Sequence, residues 1–284
     1  MALVAIGDLH LSDEREWSYE VSARVVDNIV NHPLNKKGNS AVFLGDITDK
    51  AIISGPIIAL LEKLFRGLRY DKVWVIRGNH ELKFNKAGQE TYVLDFLKSP
   101  AYPTVEVIEV ATTVDYAGEK FLMLPYFNPQ GDHTMKNVYE ALELDYEYAA
   151  VFGHLQDDSL DLPGESINLS KIRTKDWCLG HIHNPDGHYL GSYIPNSESE
   201  KGKLRKLKVY DKGGVEVVPL RTIIDYYDVM YPDPLPATDC DVPVFTIYNC
   251  ADPEAAREKY GKIHVKKCIY RVSMDIDAFK ALGS

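Results

Sequence analysis

Cysteine is scarce in this chain, and long apolar runs are missing. The four cysteines have neither the spacing of a metal site nor the density of a disulfide scaffold, so we expect reduced packing residues. Without a run of about 18 apolar residues, no membrane span is expected. The first residues lack the basic start of a signal peptide, and the sequence therefore predicts a soluble protein of the cytoplasm.

Two common catalytic devices are missing as well. The sequence has no GxxxxGKS or GxxxxGKT loop, which excludes a P-loop ATPase, and no arrangement typical of a serine or cysteine nucleophile. It also contains no internal repeat and no low-complexity tract. Any chemistry has to come from other side chains.

The composition is that of a folded, acidic chain. Its 284 residues are 45% hydrophobic and 26% charged, enough for one large domain with a core and a small appendage. The formal net charge of −10 disfavours broad electrostatic capture of nucleic acid, which depends on Lys and Arg. A local basic stretch can still act, and bound cations would offset part of the charge.

Apolar runs alternate with helical patterns in the first part of the chain. Buried strands are predicted at 3–6, 41–44 and 73–76, with amphipathic helices at 17–30 and 56–68 between them. Successive strands that indicate a second, mixed sheet are predicted at 105–110, 111–116 and 120–124. Further strands are predicted at 149–152, 177–179 and 188–190, and a hairpin at 204–210 and 215–220. The pattern indicates an α/β fold, α+β in part, with a core domain over residues 1–222.

A proline-rich segment at 231–236 marks a break, because it fits neither a regular helix nor a central strand. After it, a strand at 242–248, a helix from 251 to about 260 and a strand at 263–272 form a βαβ pattern. We therefore predict a small second domain over residues 223–284.

Five short polar segments lie before that break. Four of the five follow an apolar stretch predicted to be a buried strand. Each segment contains at least one Asp, Asn or His, the residue types that bind divalent cations. The segments are Asp8-Leu9-His10, Gly45-Asp46-Ile47-Thr48-Asp49, Gly78-Asn79-His80-Glu81, Gly153-His154 and Gly180-His181-Ile182-His183. Such a set predicts a two-metal hydrolase with water as the nucleophile, because two cations about 3.5 to 4 Å apart activate water and stabilise an in-line displacement.

The first two segments supply carboxylates at strand ends. Asp8 and His10 are two residues apart and would face one cation from a continuing strand. Asp46 follows a glycine that allows a tight turn, and we predict that it bridges the two cations. Two roles are open for Asp49: it caps a helix that begins near Ile52, or it supports the ligands from behind.

The third segment divides into three roles. Asn79 offers a neutral carbonyl oxygen to a cation. His80 is placed to protonate a leaving oxygen or to stabilise charge on a phosphoryl group, so it is the predicted catalytic residue. Glu81 is predicted to orient His80 or to cap a following helix.

Histidines complete the ligand set. In the HxH of the last segment, both imidazoles lie on one side of an extended chain. The seven predicted ligands are Asp8, His10, Asp46, Asn79, His154, His181 and His183. The histidines without a partner pattern, predicted to be surface or structural residues, are His32, His133, His188 and His264.

The ordered motifs DxH, GDxxD, GNHE, GH and GHxH resemble the calcineurin-like metallophosphoesterase superfamily over residues 8–183. The resemblance implies two facing mixed β-sheets flanked by helices, a four-layer sandwich, with His80 as the catalytic histidine. It assigns one cation to Asp8, His10, Asp46 and His183, and the other to Asp46, Asn79, His154 and His181.

The sequence after His183 resembles a narrower group, the SbcD-type repair and recombination nucleases and their phage counterparts. It shares LGHIHNP at 179–185, GS at 191–192, ESEKG at 198–202 and a hairpin that ends in VPL at 218–220. The resemblance implies a manganese-dependent DNA exo- or endonuclease that pairs with an SMC-like ATPase and carries a small C-terminal capping domain. Iron, zinc and magnesium are open alternatives for the metal. A homodimer is a further open possibility. For a phage protein the location would be the host cytoplasm.

Two positions depart from that group. Many SbcD-type nucleases have His where this chain has Asp49, and commonly Asp where it has Glu81. Neither residue is a predicted ligand, so the departures bear on nuclease details such as strand polarity and not on the phosphoesterase assignment.

Basic residues cluster on or beside the predicted hairpin. They either follow a DNA phosphate backbone or protect an ordinary solvated β-edge. The cluster consists of Lys201, Lys203, Arg205, Lys206, Lys208 and Lys212. The alternatives to a nuclease are a phosphatase or a small-molecule or cyclic-nucleotide phosphodiesterase with the same metals, and a non-catalytic scaffold, which the intact motif set disfavours.

Overall fold

The structure is a computed structural model that describes residues 1–15, 17–84, 90–127, 146–160, 166–195 and 197–269. The chain divides into two units, one that ends at Ile223 and one that begins at Ile224. None of the helices in these ranges has the length and apolar character needed to cross a membrane.

Short strands and few helices make up the described residues. The strands are β1 Leu3–Ile6, β2 Ser40–Phe43, β3 Lys72–Ile76, β4 Leu82–Phe84, β5 Glu90–Tyr92, β6 Val105–Ile108, β7 Thr112–Tyr116, β8 Glu119–Leu124, β9 Ala150–His154, β10 Gln156–Asp157, β11 Ser166–Ile167, β12 Trp177–Gly180, β13 Lys206–Asp211, β14 Gly214–Pro219, β15 Ile224–Met230, β16 Val242–Tyr248 and β17 His264–Ile269. The α-helices are α1 Ser18–Val30, α2 Gly55–Gly67 and α3 Pro253–Tyr260.

Local sequence explains where α2 begins. The Ser54 hydroxyl accepts the N–H of Ile57 at 3.4 Å, and the proline that follows in the first turn needs no N–H partner. The helix begins at Gly55 with Ser54 as its cap, which agrees with the amphipathic helix predicted at 56–68, whereas the start near Ile52 is wrong. Asp49 therefore does not cap this helix.

Six strands form the first sheet, in the order β14-β13-β1-β2-β3-β6. The strands β1, β2, β3 and β6 are parallel, whereas β13 runs antiparallel to β1 and β14 antiparallel to β13. The apolar runs of β1 and β2 are buried at every position, as expected for parallel strands covered on both faces. We predicted β6 in the second sheet, but it pairs with β3 at the edge of the first.

The second sheet has the order β12-β9-β8-β7, with β7 antiparallel to β8 and the other pairs parallel. The two sheets face each other, because one buried cluster contains Val42 and Trp74 from the first sheet and Phe121 and Phe152 from the second. The Phe121 and Phe152 rings stack with centroids 5.7 Å apart. The main core of the first unit lies between the sheets.

The outer faces of the sheets are covered differently. Phe65 of α2 packs on Phe43 of β2, with ring centroids 5.9 Å apart. In the described ranges, residues from loops and short 3-10 turns, such as Tyr148 and Leu169, cover the outer side of the second sheet. The predicted mixed α/β class is confirmed, while the four-layer sandwich stays a prediction.

Several smaller elements differ from the prediction. Residues 188–190 do not form a strand, since Tyr189 makes only an isolated bridge with Leu179. The short pairs β4-β5 and β10-β11 were not predicted. Their few residues show no sustained alternation of apolar and polar side chains, the signal on which strand prediction depends.

The second unit contains a parallel sheet in the order β15-β16-β17, with α3 between β16 and β17. The βαβ pattern predicted from the sequence is present, and its last residues, 270–272, lie outside the described ranges. Strand β15 was not predicted. Ala256 of α3 packs with Val229, Phe245 and Ile247 in the core of this unit.

Candidate metal centre

Parallel strands of both sheets end at one edge of the first unit and carry the predicted ligands. Asp8, Asp46 and Asn79 follow β1, β2 and β3, while His154 ends β9 and His181 follows β12. The backbone N–H of His181 donates to Asp8 Oδ2 at 2.8 Å, which joins the two sheets at this edge. Carboxyl ends of parallel strands are a common place for functional sites, and the structure brings all seven predicted ligands together there.

The first cluster consists of Asp8, His10 and His183, whose ligand atoms lie within 4.8 Å of one another. The Nε2 atoms of the two histidines are 2.9 Å apart. Asp8 is fully buried, and its Oδ1 has no hydrogen-bond partner. A buried carboxylate oxygen without a partner is costly, and converging imidazole nitrogens beside it fit a divalent cation.

The second cluster consists of Asp46, His154 and His181. His154 donates from Nδ1 to the Leu44 carbonyl at 2.8 Å, which turns its Nε2 toward Asp46 Oδ2 at 3.2 Å. Asn79 Oδ1 lies 2.9 Å from His154 Nε2 and 3.0 Å from His181 Nδ1. This donor set of carboxylate, amide and imidazole also fits a divalent cation.

Asp46 lies between the two clusters. Its Oδ2 is 3.2 Å from His154 Nε2 on one side and 3.9 Å from His10 Nε2 on the other. The backbone N–H of His80 donates to Asp46 Oδ1 at 3.0 Å and fixes the carboxylate. A side chain on Gly78 would overlap Asp46, so glycine is required for this approach. The position is that of a carboxylate shared by two cations.

Three of the predicted ligands have left-handed backbone conformations. The φ angles are 48° for His10, 44° for Asp46 and 77° for His181. Such conformations cost about 1 to 3 kcal/mol in residues other than glycine and cluster at functional sites. At this edge of the sheets, backbone strain is therefore present at the predicted ligands themselves.

His80 lies at the open side of the site. Its Nδ1 donates to the Asp49 carbonyl at 2.7 Å, and its Nε2 is 3.8 Å from Asp46 Oδ2. Its side chain is 35% exposed, against 1% for Asp46. With His10 and Asp46 it also forms a third cluster of metal-binding geometry. A catalytic role without metal ligation stays a prediction for His80.

Asp49 and Glu81 support the site from different sides. Asp49 Oδ1 is 3.3 Å from His10 Nδ1. Glu81 is fully buried and accepts the Thr48 N–H at 2.9 Å, which holds the turn after Asp46. The structure therefore gives Glu81 a role other than orienting His80 or capping a helix, since β4 begins at the next residue.

Burial and the neighbouring charges shift the pKa values of the carboxyl groups in opposite directions. Burial raises the pKa of Glu81 to about 8, with a further contribution from Asp46. Burial also raises the pKa of Asp8. For Asp46, burial is outweighed by His154, His10 and His80, which hold its pKa below the usual range. Asp46 is therefore ionised and ready to bind cations.

The buried histidines titrate in opposite directions. Burial lowers the pKa of His154, but Asp46 and Asp8 outweigh burial and raise the pKa to about 9. Burial and the neighbouring His154 lower the pKa of His181 to about 4. Without cations, His154 thus carries a proton at neutral pH and His181 does not.

Two residues proposed to contact DNA point into the protein. Arg205 is 3% exposed, and its guanidinium donates to the His183 carbonyl at 2.9 Å. Lys208 is 9% exposed, and its ammonium donates to Asp176 and to the Trp177 carbonyl at 2.7 Å. The prediction that these two side chains follow a phosphate backbone is wrong, because both are engaged in internal contacts.

The remaining lysines of the basic cluster lie in different parts of the first unit. Lys212 lies at the tip of the β13-β14 hairpin, and β13 runs antiparallel to β1, so this tip is at the end of the sheet opposite Asp8. Lys201 and Lys203 are exposed, and Lys206 is half-buried. The other predicted non-ligand histidines, His32, His188 and His264, join none of the metal-binding clusters, and His133 lies outside the described residues.

Sequence reasoning missed two groups near the site. Glu200 Oε1 is 3.3 Å from His183 Nδ1, and the only signal for it was the ESEKG run at 198–202. Tyr126 has its ring centroid 6.0 Å from that of His181 and no preceding motif that points to it.

The family model of the calcineurin-like phosphoesterases matches residues 1–218. No curated protein matches the chain. Among solved structures, AQ665 from Aquifex aeolicus, a protein of unknown function, is 14% identical, with 61% of this chain and 87% of that chain covered at a TM-score of 0.34. A likeness at that TM-score adds nothing to the family match.

Proposed function

This chain belongs to the calcineurin-like phosphoesterase family, and we propose that it is a manganese-dependent nuclease that cleaves phosphodiester bonds in DNA. The family makes it a metal-dependent hydrolase of phosphate esters. The observation that carries the proposal is Asp46, which lies between two clusters of ligand atoms and faces both. DNA as the substrate is supported by the resemblance of the sequence after His183 to SbcD-type nucleases.

Two divalent cations, when bound, supply activated water and neutralise charge on the phosphate. Asp8, His10, Asp46 and His183 would hold one, and Asp46, Asn79, His154 and His181 the other. With its Nδ1–H held by the Asp49 carbonyl, His80 in its imidazolium form would donate the Nε2 proton to the leaving oxygen and keep the Nδ1 proton. The chain's own contribution is thus orientation and proton transfer.

Exposed lysines that lie close in the chain to a residue contacting the site are suited to bind a phosphate backbone. Glu200 contacts His183, and the exposed Lys201 and Lys203 follow it directly in the chain. Phosphate contacts from such lysines position a nucleic acid without reading its sequence. Of the two residues that differ from many SbcD-type nucleases, Asp49 contacts the predicted ligand His10, and Glu81 accepts the Thr48 N–H in the turn after Asp46.

Cleavage assays with Mn²⁺ test the proposal. The purified protein is incubated with single-stranded DNA, double-stranded DNA and an aryl phosphodiester, and we expect cleavage of DNA. Robust turnover of the aryl ester without DNA cleavage would instead favour a small-molecule phosphodiesterase. The inward-facing Arg205 and Lys208 and the net charge of −10 are the observations that favour this second function.

An SMC-like ATPase as partner and a homodimer are further parts of the proposal. Co-purification of the chain with such an ATPase, and DNA cleavage with and without it, test the first. Light scattering of the isolated chain tests the second. Comparing Mn²⁺ with Fe²⁺, Zn²⁺ and Mg²⁺ in the same assay identifies the metal.

A further inference from the structure

Glu200 is a buried carboxylate whose two oxygens each receive hydrogen bonds. It is 4% exposed, and its Oε1 lies 3.3 Å from His183 Nδ1 and 3.2 Å from the Ser197 hydroxyl. Its Oε2 accepts from the Ser192 hydroxyl at 3.0 Å and from Arg205 at 3.2 Å. The carboxylate is therefore held from several directions and has little freedom to turn.

Arg205 connects this carboxylate to the backbone of His183. One guanidinium nitrogen donates to the His183 carbonyl at 2.9 Å and to the Ser192 carbonyl at 3.2 Å. The other donates to the Glu200 carbonyl at 3.1 Å as well as to its carboxylate. The pair thus contacts His183 at two points, its ring and its main chain. A buried ion pair contributes little net stability, and one of its attested uses is to fix a local arrangement.

We propose that Glu200, held by Arg205, is a positioning residue for His183. A hydrogen bond from Nδ1–H to the carboxylate fixes the ring and its tautomer, so that the lone pair on Nε2 faces Asp8 and His10. This inference rests on the proposed metal-dependent function, since it assigns Glu200 to one of the two cations.

The two clusters are supported by different chemistry, which makes the proposal specific. In the second cluster His154 donates to a neutral carbonyl, that of Leu44. In the first cluster, His183 faces the Glu200 carboxylate and His10 lies 3.3 Å from that of Asp49. Loss of Glu200 should therefore lower the affinity of the first cluster for its cation and leave the affinity of the second cluster unchanged.

Binding of Mn²⁺ to the full chain tests this directly. Isothermal titration calorimetry and electron paramagnetic resonance are recorded for the wild type, Glu200→Ala and Glu200→Gln. The matched control is Glu216→Gln, which makes the same charge change at an exposed position of β14. We expect two Mn²⁺ in the wild type and the control, and affinity about 10- to 100-fold weaker at one site in Glu200→Ala.

A purely structural role for Glu200 would not produce this pattern. Selective loss of one cation would replace the spin-coupled signal of the Mn²⁺ pair by that of a single ion. Glu200→Gln keeps the size and one acceptor oxygen, so we expect partial recovery, and it decides the test if Glu200→Ala does not fold. Wild-type affinity at both sites in folded Glu200→Gln and Glu200→Ala, or equal loss at both, overturns the proposal.

The cleavage assays test the proposed function independently of the role of Glu200. A wild-type chain that binds two Mn²⁺ but cleaves neither DNA nor an aryl phosphodiester contradicts the function. The selective effect of Glu200 on one cation would then still support the positioning role.

Discussion

The Nε2 atoms of His10 and His183 lie 2.9 Å apart, although 173 positions separate the two residues in the chain. At that distance both nitrogens cannot carry a proton without repelling each other. At least one lone pair therefore faces the other ring, beside Asp8 Oδ1, which has no hydrogen-bond partner. The ligand atoms of Asp8, His10 and His183 thus converge in a way that fits one divalent cation.

Replacing Gly78 by alanine should move the bridging carboxylate. A Cβ at this position would overlap both Oδ1 and the backbone nitrogen of Asp46. We expect phosphodiesterase activity to fall by about 100-fold or more, since small misplacements of reacting groups have effects of that size. The control is Gly55→Ala, because a Cβ there meets no atom within 4 Å. Equal activity of the two variants would contradict the assigned position of Asp46.

His80→Ala separates catalysis from metal binding. If His80 only transfers a proton, kcat should fall by about 10²- to 10⁴-fold while two Mn²⁺ still bind. Steady-state kinetics and Mn²⁺ titration check the two parts. His188→Ala, an exposed histidine beside Trp177, should leave both unchanged. Loss of one Mn²⁺ in His80→Ala would show instead that His80 is a ligand, as its cluster with His10 and Asp46 also allows.

Mn²⁺ binding should release a proton at neutral pH. Without cations the pKa of His154 is raised to about 9, so this histidine is protonated at pH 7.5. A ligand imidazole has to be neutral, and binding therefore displaces about one proton and tightens as the pH rises toward 9. Calorimetry at pH 7.5 in Tris and in HEPES, whose ionisation enthalpies differ, measures the release. Identical binding heats in the two buffers would count against it.

Glu81→Gln should stabilise the metal-free protein at alkaline pH. The folded pKa of Glu81 is raised from 4.5 to about 8, so its contribution to stability is present below pH 4.5 and is lost as the pH rises through 8. Glutamine removes this loss and keeps an acceptor for the Thr48 N–H. We expect a gain of up to about 4 kcal/mol at pH 8, since the pKa is raised from 4.5 to about 8 and one pKa unit corresponds to about 1.4 kcal/mol.

Urea unfolding of the metal-free protein at pH 5 and pH 8 measures this difference. The gain should shrink toward pH 5, and Glu216→Gln, the same substitution at an exposed position, is the matched control. A variant less stable than the wild type at pH 8 would mean that the ionised Glu81 carboxylate stabilises the fold.

The sequence alone predicts those parts of the fold and site that depend on residues close together in the chain. The buried strands β1, β2 and β3 are continuous apolar runs, and the residues just beyond them are Asp8, Asp46 and Asn79. Because parallel strands end at the same edge, position along the chain is enough to bring these side chains together. His154 and His181 follow the same logic in the second sheet.

Features that depend on distant partners were not predictable. Arg205 resembles a surface cation beside a hairpin, and only the folded chain shows that it bonds to His183 and Glu200. Strand β15 contains Tyr226, Tyr227 and Asp228, a run without clear alternation, and its pairing with β16 is what makes it a strand. In both cases the deciding contact is nonlocal.

The tip of the β13-β14 hairpin is a suitable place to attach a label or a surface tether. Its residues, Asp211 to Gly214, lie at the end of the sheet opposite the candidate metal centre, and Lys212 there is exposed. A fluorophore or surface tether attached at this turn would therefore lie at the far end of the first sheet from the predicted metal ligands. Tethering at Lys201 would place the attachment next in the chain to Glu200, which contacts His183, and should therefore impair activity more.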